Sequence, residues 1–462
     1  MHKYLYSLGT FVCVGLMSFG AFANEGDSSV VLTPQEFSET RTDSGSWNFD
    51  WHGYVRAPIV FSGSPLDVHP PYLLDDDYYE SGFAYTRVNE SEWAELYFQA
   101  STGRTRVVMG LFASQLSDYS HPSHPGQAGI ATGFVEHGMD VGSWLDLTVR
   151  LGVFWDRFGY MEPYDTYLLG RTHVGGISMQ SVIADWVRLD AGYGIHADFL
   201  ASNQGMTPLA WVRLGLIRPW LDTAGYVMRT WTTDSDRGFA SQIEDGTLLV
   251  AGADARVAVP KFGTIYAGMS WIKARSIDSM SPSIELLHST GGIFLTRNYL
   301  GGEEGGTGEI LATGFDVQWD PAKSADWLKK YLDGVSVRLF GMSAWVLSKT
   351  QSDDPTLNRH DRLYFKWGGL LRYDLPAGSA GTIFASLRYD RVIMDMDHDD
   401  LSFRVLTSRL GITPLKGVDL FLSYSHYMYG DRIRLRNKQI EGDPLATQPD
   451  THVLKLQAQA SW

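Results

Sequence analysis

The chain has 462 residues, 44% of them hydrophobic and 20% charged, with a formal net charge of -15 at pH 7. An acidic chain without a long basic run is not built to bind nucleic acid. Its 15 Trp and 23 Tyr exceed what an ordinary core needs and suit a surface that meets a lipid interface.

In chain order, Met1-His2-Lys3 is followed by an apolar run from Tyr4 to Phe19 and by Ala21-Phe22-Ala23. That order is a secretory signal segment, residues 1–23, with cleavage expected after Ala23. The single cysteine, Cys13, falls inside it. The exported chain is therefore expected to lack disulfides and to be held by a large hydrogen-bonded structure. Residues 24–46 are polar and read as a loose periplasmic leader. Beyond the signal no run of 18 or more apolar residues occurs, which excludes a helical membrane protein.

From Trp51 to Trp462 the dominant pattern is alternation with period two. It is clearest in 145–155, 187–199, 251–259, 382–390 and 454–462, where one face is apolar and the other polar. Segments of about 10 to 13 residues exceed an ordinary globular strand and match a tilted membrane crossing. The polar face carries full charges, which a dry sandwich core would not accept. Short turns at 102–105, 184–186, 260–263, 375–381 and 414–417 alternate with long polar loops at 63–81, 115–128, 157–171, 275–305 and 431–450. This is the asymmetry of outer-membrane barrels.

The fold expected is all-β, an antiparallel transmembrane β-barrel over residues 47–462 with about eighteen strands, sixteen being the alternative. Up-strands are placed near 51–62, 104–114, 144–156, 186–198, 222–232, 262–274, 335–347, 380–393 and 417–430. Down-strands are placed near 82–101, 129–140, 172–182, 207–217, 246–258, 306–319, 361–374, 400–412 and 451–462. The turn 320–334 contains Ala-Asp-Trp-Leu-Lys-Lys-Tyr-Leu at helical spacing, expected as a short amphipathic helix on the periplasmic rim, with partner docking as the alternative.

Two segments carry a resemblance. The terminal strand ending in aromatic Trp462 resembles the strand through which the barrel-assembly machinery recognises its clients. The first strand, with His52, Gly53, Tyr54 and Arg56 in a Phe-Asp-Trp-His-Gly-Tyr-Val-Arg context, resembles the opening strand of maltoporin-type sugar porins. Those barrels, like the alginate-export type, have eighteen strands, so the resemblance implies a large outer-membrane channel and nothing finer.

The polar faces offer a set of pore-lining candidates: Arg150, Arg188, Arg213, Arg229, Arg256, Arg338, Arg372, Arg388 and Arg409, with Asp190, Asp198 and Asp254, and the aromatics Trp211 and Phe384. Trp231 and Phe340 are read on the same face. Guanidinium rings set anion preference in pores. Against this, Asp146, Asp190, Asp198, Asp254, Asp316, Asp374, Asp390 and Asp419 share those faces, and Arg–Asp pairs would neutralise the wall. Inner aromatics could stack on pyranose rings or simply fill a constriction.

Asp75-Asp76-Asp77, Asp395 to Asp400 and His121-Pro-Ser-His124 lack the ligand order of a metal site and read as solvated loops. No Gly-x-Ser-x-Gly elbow or compact catalytic set is present, so neither an enzyme nor a cofactor is expected. The function expected is passage of polar solutes, carbohydrate or small anions, through the outer membrane. An export conduit for polysaccharide and a structural barrel with a closed lumen are the alternatives. The partners expected are outer-membrane lipid and lipopolysaccharide, the assembly machinery and a saccharide.

Overall fold

The structure, a computed structural model, describes residues 46–62, 93–114, 127–157, 171–196, 208–231, 246–275, 307–347, 363–393, 402–430 and 450–462. The signal segment with Cys13, most of the leader, Asp198, both acidic clusters, the His121/His124 pair and most of loop 275–305 lie outside the described residues.

Eighteen strands form one antiparallel sheet. They are β1 (Asn48–Ser62), β2 (Trp93–Thr102), β3 (Thr105–Ser114), β4 (Gln127–Val141), β5 (Leu145–Arg157), β6 (Arg171–Ile183), β7 (Val187–His196), β8 (Pro208–Arg218) and β9 (Leu221–Trp231). The second half comprises β10 (Thr247–Val259), β11 (Gly263–Arg275), β12 (Thr307–Trp319), β13 (Val335–Val346), β14 (Leu363–Pro376), β15 (Thr382–Ile393), β16 (Ser402–Leu415), β17 (Val418–Tyr429) and β18 (Thr451–Ser461). Each strand pairs with its sequence neighbours, and β1 pairs with β18 from Tyr54↔Ser461 to Ser62↔Val453. The sheet thus closes on itself, which excludes the sixteen-strand alternative. The seam is fastened by reciprocal backbone hydrogen bonds between Gly53 and Trp462, at 3.0 and 3.1 Å.

Strands of 10 to 15 residues are long enough to cross a hydrocarbon layer at a tilt. The predicted strand 82–101 is described only from Trp93 to Thr102, and residues 82–92 lie outside the described residues. Among the tight turns, Ala184 and Asp185 both have positive φ, 49° and 63°, and Trp186 N–H donates to Ile183 C=O at 3.2 Å. Two such residues in succession make a type I′ hairpin, whose twist matches the strands it joins. The expected helix in 320–334 is present as two pieces, α1 (Pro321–Ser324) and α2 (Asp326–Leu332). Asp320 caps α1 by accepting from Ala322 N–H at 3.1 Å, and Pro321 opens it.

The two faces of the wall differ in kind. On β8, Val212, Leu214 and Leu216 are exposed, while Leu209, Trp211 and Arg213 are buried. The same alternation recurs in β17, where Leu420 and Leu422 are exposed and Phe421 and Ser423 buried. A sheet that turns its apolar side outward and its charges inward is inverted relative to a soluble barrel, and this outer face is made to lie in lipid. Exposed tryptophans ring the rim of short turns: Trp51, Trp144, Trp186, Trp220 and Trp462. Such aromatics sit where hydrocarbon meets head groups.

Candidate functional site: the inner wall

Eighteen strands ~4.8 Å apart and tilted ~40° close at a backbone diameter of about 35 Å. The wall side chains alone cannot fill that span. What they do is layer the wall, and the layering has a regular basis. Inner aromatics stand directly across from glycines: Tyr97↔Gly110, Trp211↔Gly192, Tyr226↔Gly252, Phe340↔Gly368 and Phe384↔Gly411. A Cβ built on any of these glycines would stand 2.0 to 2.5 Å from its partner's ring or hydroxyl. Each ring therefore covers a bare stretch of backbone beside it instead of projecting across the interior. Tyr226 is fixed there by a 2.6 Å hydrogen bond with Ser270.

Guanidinium groups form the next layer. Arg388 lies 4.7 Å from the Phe340 ring centroid, Arg372 lies 4.3 Å from Phe384, and Arg409 lies 5.2 Å from Phe421. Arg150 rests on both Phe134 and Phe154, at 4.8 and 5.3 Å. The planar cation stacks on the ring and keeps its fork of donors for a carboxylate.

The acids are in place to receive them. Arg188 pairs with Asp190 at 2.8 Å, Arg372 with Asp374 at 2.9 Å and Arg388 with Asp390 at 2.7 Å, each within a single strand. Arg213 of β8 reaches Asp254 of β10 at 3.2 Å, across β9, which offers only small Ala224 opposite Asp254. Arg338 makes a forked bond to Asp316 on the adjacent strand. Glu136 serves two cations, Arg106 at 2.6 Å and Arg150 at 2.7 Å. Arg256 stands opposite Asp222 in register and 6.0 Å from the Tyr266 ring.

Of the predicted candidates, Arg150, Arg188, Arg213, Arg256, Arg338, Arg372, Arg388 and Arg409 are on the inner face, as are Asp190, Asp254, Trp211, Phe340 and Phe384. Two readings are corrected. Arg229 is on the outer face: it is exposed and alternates with buried Met228 and Thr230. Trp231 shares that parity and lies 5.9 Å from the Arg229 guanidinium. A Trp and an Arg at the end of a strand, on its lipid side, suit an interface where the ring stays at head-group level and the cation reaches water. Sequence reasoning missed Glu136, Arg106, Tyr97 and Tyr226. Tyr97 was within reach, because the tight turn between β2 and β3 fixes Gly110 as its partner.

The inner face, expected to be polar, is not uniform along its height. Most of these ion pairs occupy the half of the wall nearer the short turns, and Arg388–Asp390 lies past the midpoint of β15. Toward the long loops the arc from β8 to β12 turns apolar, with Leu209, Met228, Leu248, Val250 and Ile310 all at 0% exposure. The charged groups that persist near that level, Arg56, Lys366, Asp390 and Lys455, are on the rest of the circumference. His52, Tyr54 and Arg56 of the first strand's sugar-porin-like pattern face inward, and His52 stacks on Tyr97 at 4.9 Å. Among the described residues no group of three or more His, Cys, Asp or Glu could hold a metal ion.

No family model matches the sequence, and no curated protein does. Solved structures similar in shape include OccK8 (OprE) of Pseudomonas aeruginosa, at 11% identity and a TM-score of 0.46, covering 90% of this chain and 98% of that one. OccAB2 of Acinetobacter baumannii has 11% identity and a TM-score of 0.45, covering 90% and 98%. The outer membrane protein OprD of P. aeruginosa has 9% identity and a TM-score of 0.43, covering 91% and 96%.

Proposed function

We propose that this chain is an outer-membrane channel that passes polar solutes, with neutral saccharides favoured over small anions. The observation that carries the choice is the pairing of the inner charges. A ring of guanidinium groups would attract anions only if its field were uncompensated. Here Arg150, Arg188, Arg213, Arg338, Arg372 and Arg388 each have a carboxylate within 3.2 Å. Such a wall presents hydrogen-bonding edges with little net sign, which suits a hydroxyl-rich, uncharged solute. Together with the predicted export signal and the lipid-facing outer surface, this supports a passive conduit, and no chemistry is assigned to it.

A closed structural barrel is the second reading, favoured by how deeply the inner pairs are covered: the side chains of Arg388 and Asp390 are 3% and 1% exposed. Single-channel recording in a planar bilayer separates the two. Steady conductance with little cation or anion preference, blocked by added neutral oligosaccharide, supports the channel. Strong anion selectivity overturns the preference for neutral solutes, and a silent membrane with correctly folded protein leaves the closed barrel.

A further inference from the structure

Helix α2 has no buried residue, and two large aromatics on one of its faces, Trp327 and Tyr331, are 67% and 70% exposed. Four residues apart on a helix, they stand one turn above the other. Leu328 and Leu332 continue the same apolar stripe and are half-buried. The rest of the helix is polar, with Asp326 at its start and Lys329 and Lys330 in its last turn. Lys330 Nζ lies 5.5 Å from the Tyr331 ring centroid. In water, two exposed aromatics of this size would be a costly choice for a rim helix.

Its surroundings say what covers them. The helical connection leaves β12 at Trp319, whose register puts it on the outer face with Phe315 and Val317. The Trp319 indole N–H donates to Ser324 Oγ of α1 at 2.9 Å, and its ring stacks at 5.9 Å on Phe262 from the neighbouring turn. Trp186 and Trp220 occupy two further short turns, and both are exposed. The Ala-Asp-Trp of 184–186 recurs at 325–327. The connection is thus tied to the aromatic girdle by a hydrogen bond at α1, and α2, which follows one residue later, carries two more aromatics of the girdle's kind.

We infer that α2 is an interfacial foot: Trp327 and Tyr331 enter the head-group region of the inner, phospholipid leaflet, and Lys329 and Lys330 reach its phosphates. The helix rests on the membrane beside the barrel and holds the rim at a fixed depth. Aromatic rings insert at this level while lysine stems let the ammonium groups stay hydrated. The charges of 320–334 balance, three Asp against three Lys, so ring insertion and not net attraction holds the foot down. This inference rests on the membrane-spanning reading of the barrel.

The test places single nitroxide labels on the full chain, with Cys13→Ser removing the sole cysteine. The labelled variants are Trp327→Cys, Tyr331→Cys, Lys329→Cys and, as a girdle reference, Trp220→Cys, each in phosphatidylethanolamine–phosphatidylglycerol vesicles. Collision with oxygen relative to a water-soluble nickel chelate should be at least ~3-fold higher at 327 and 331 than at 329, and close to that at 220. Quenching by lipids brominated near the glycerol should also fall in Trp327→Phe, a variant that keeps an apolar ring in place. Chelate-dominated collisions at 327 and 331, with position 220 still in lipid, overturn the foot and leave the barrel's membrane reading standing. Labels at 327 and 331 shielded from both quenchers also overturn it, in favour of rings packed against protein, since these vesicles hold only this chain. A water-exposed label at 220 would instead bring down the membrane reading itself.

Discussion

Trp211 lies over Gly192, its direct cross-strand partner, so closely that a Cβ there would stand 2.0 Å from a ring carbon. The tryptophan is 2% exposed because the glycine yields its space. Four other inner aromatics share the arrangement, so the relationship belongs to the wall and not to one site.

Gly192→Ala should therefore displace the ring and cost about 1–3 kcal/mol through overpacking. Urea-driven unfolding in lipid vesicles, followed by loss of the folded band on unheated gels, measures this. Gly133→Ala, whose Cβ would meet nothing within 4 Å, serves as the neutral control. Equal stability of both variants would show that Trp211 moves aside freely.

Glu136 holds Arg106 and Arg150 together, and all three side chains are at most 14% exposed. Glu136→Gln removes the charge that both cations share. Stability should fall by about 1–3 kcal/mol, the cost of weakening charged hydrogen bonds in a covered site. If the barrel conducts, the local excess of positive charge should also move the reversal potential toward anion preference in a salt gradient.

Among the described residues, Arg213 and Asp254 form the most deeply covered ion pair that spans strands, at 2% and 1% exposure. Arg213→Met should cost about 3–5 kcal/mol, because the carboxylate is left buried without its partner. Arg213→Met with Asp254→Leu should recover much of that loss. A double mutant no more stable than Arg213→Met would show that Asp254 is satisfied by other groups.

At the seam, Trp462 exchanges two backbone hydrogen bonds with Gly53 and meets Trp51 edge-on, ring centroids 5.9 Å apart. Removal of Trp462 deletes both bonds, each worth about 0.5–1.5 kcal/mol, at the place where the barrel closes. The expected outcome is a lower yield of closed barrel on refolding into vesicles, with strand content by circular dichroism nearly unchanged.

Much of this was legible in the residues. Period-two alternation and the contrast between short turns and long loops led to eighteen strands, and helical spacing over 325–332 located α2, while the separate turn α1 before it carries no such pattern. Parity failed where both faces of a strand are mixed. In β9, Ala224, Tyr226 and Met228 face inward while Gly225 and Val227 face outward, so the charge on Arg229 was the misleading cue. Register across long loops was not legible either. The pairing of Trp211 with Gly192 spans 197–207, and no turn geometry fixes it from sequence, whereas the tight turn after Thr102 does so for Tyr97 and Gly110. The apolar upper arc was hidden because its residues also read as ordinary strand formers.

Three of the inner ion pairs, Arg188–Asp190, Arg372–Asp374 and Arg388–Asp390, join residues two apart on the same strand. Those six charges are cancelled within their own strands before any neighbour arrives, although β14 keeps Lys366 and β15 keeps Arg391 besides. The paired groups can approach the bilayer already matched, without waiting for ring closure to supply their counter-ions. The pairs that need a second strand, such as Arg213 with Asp254, are then the ones whose formation reports that the wall has come together.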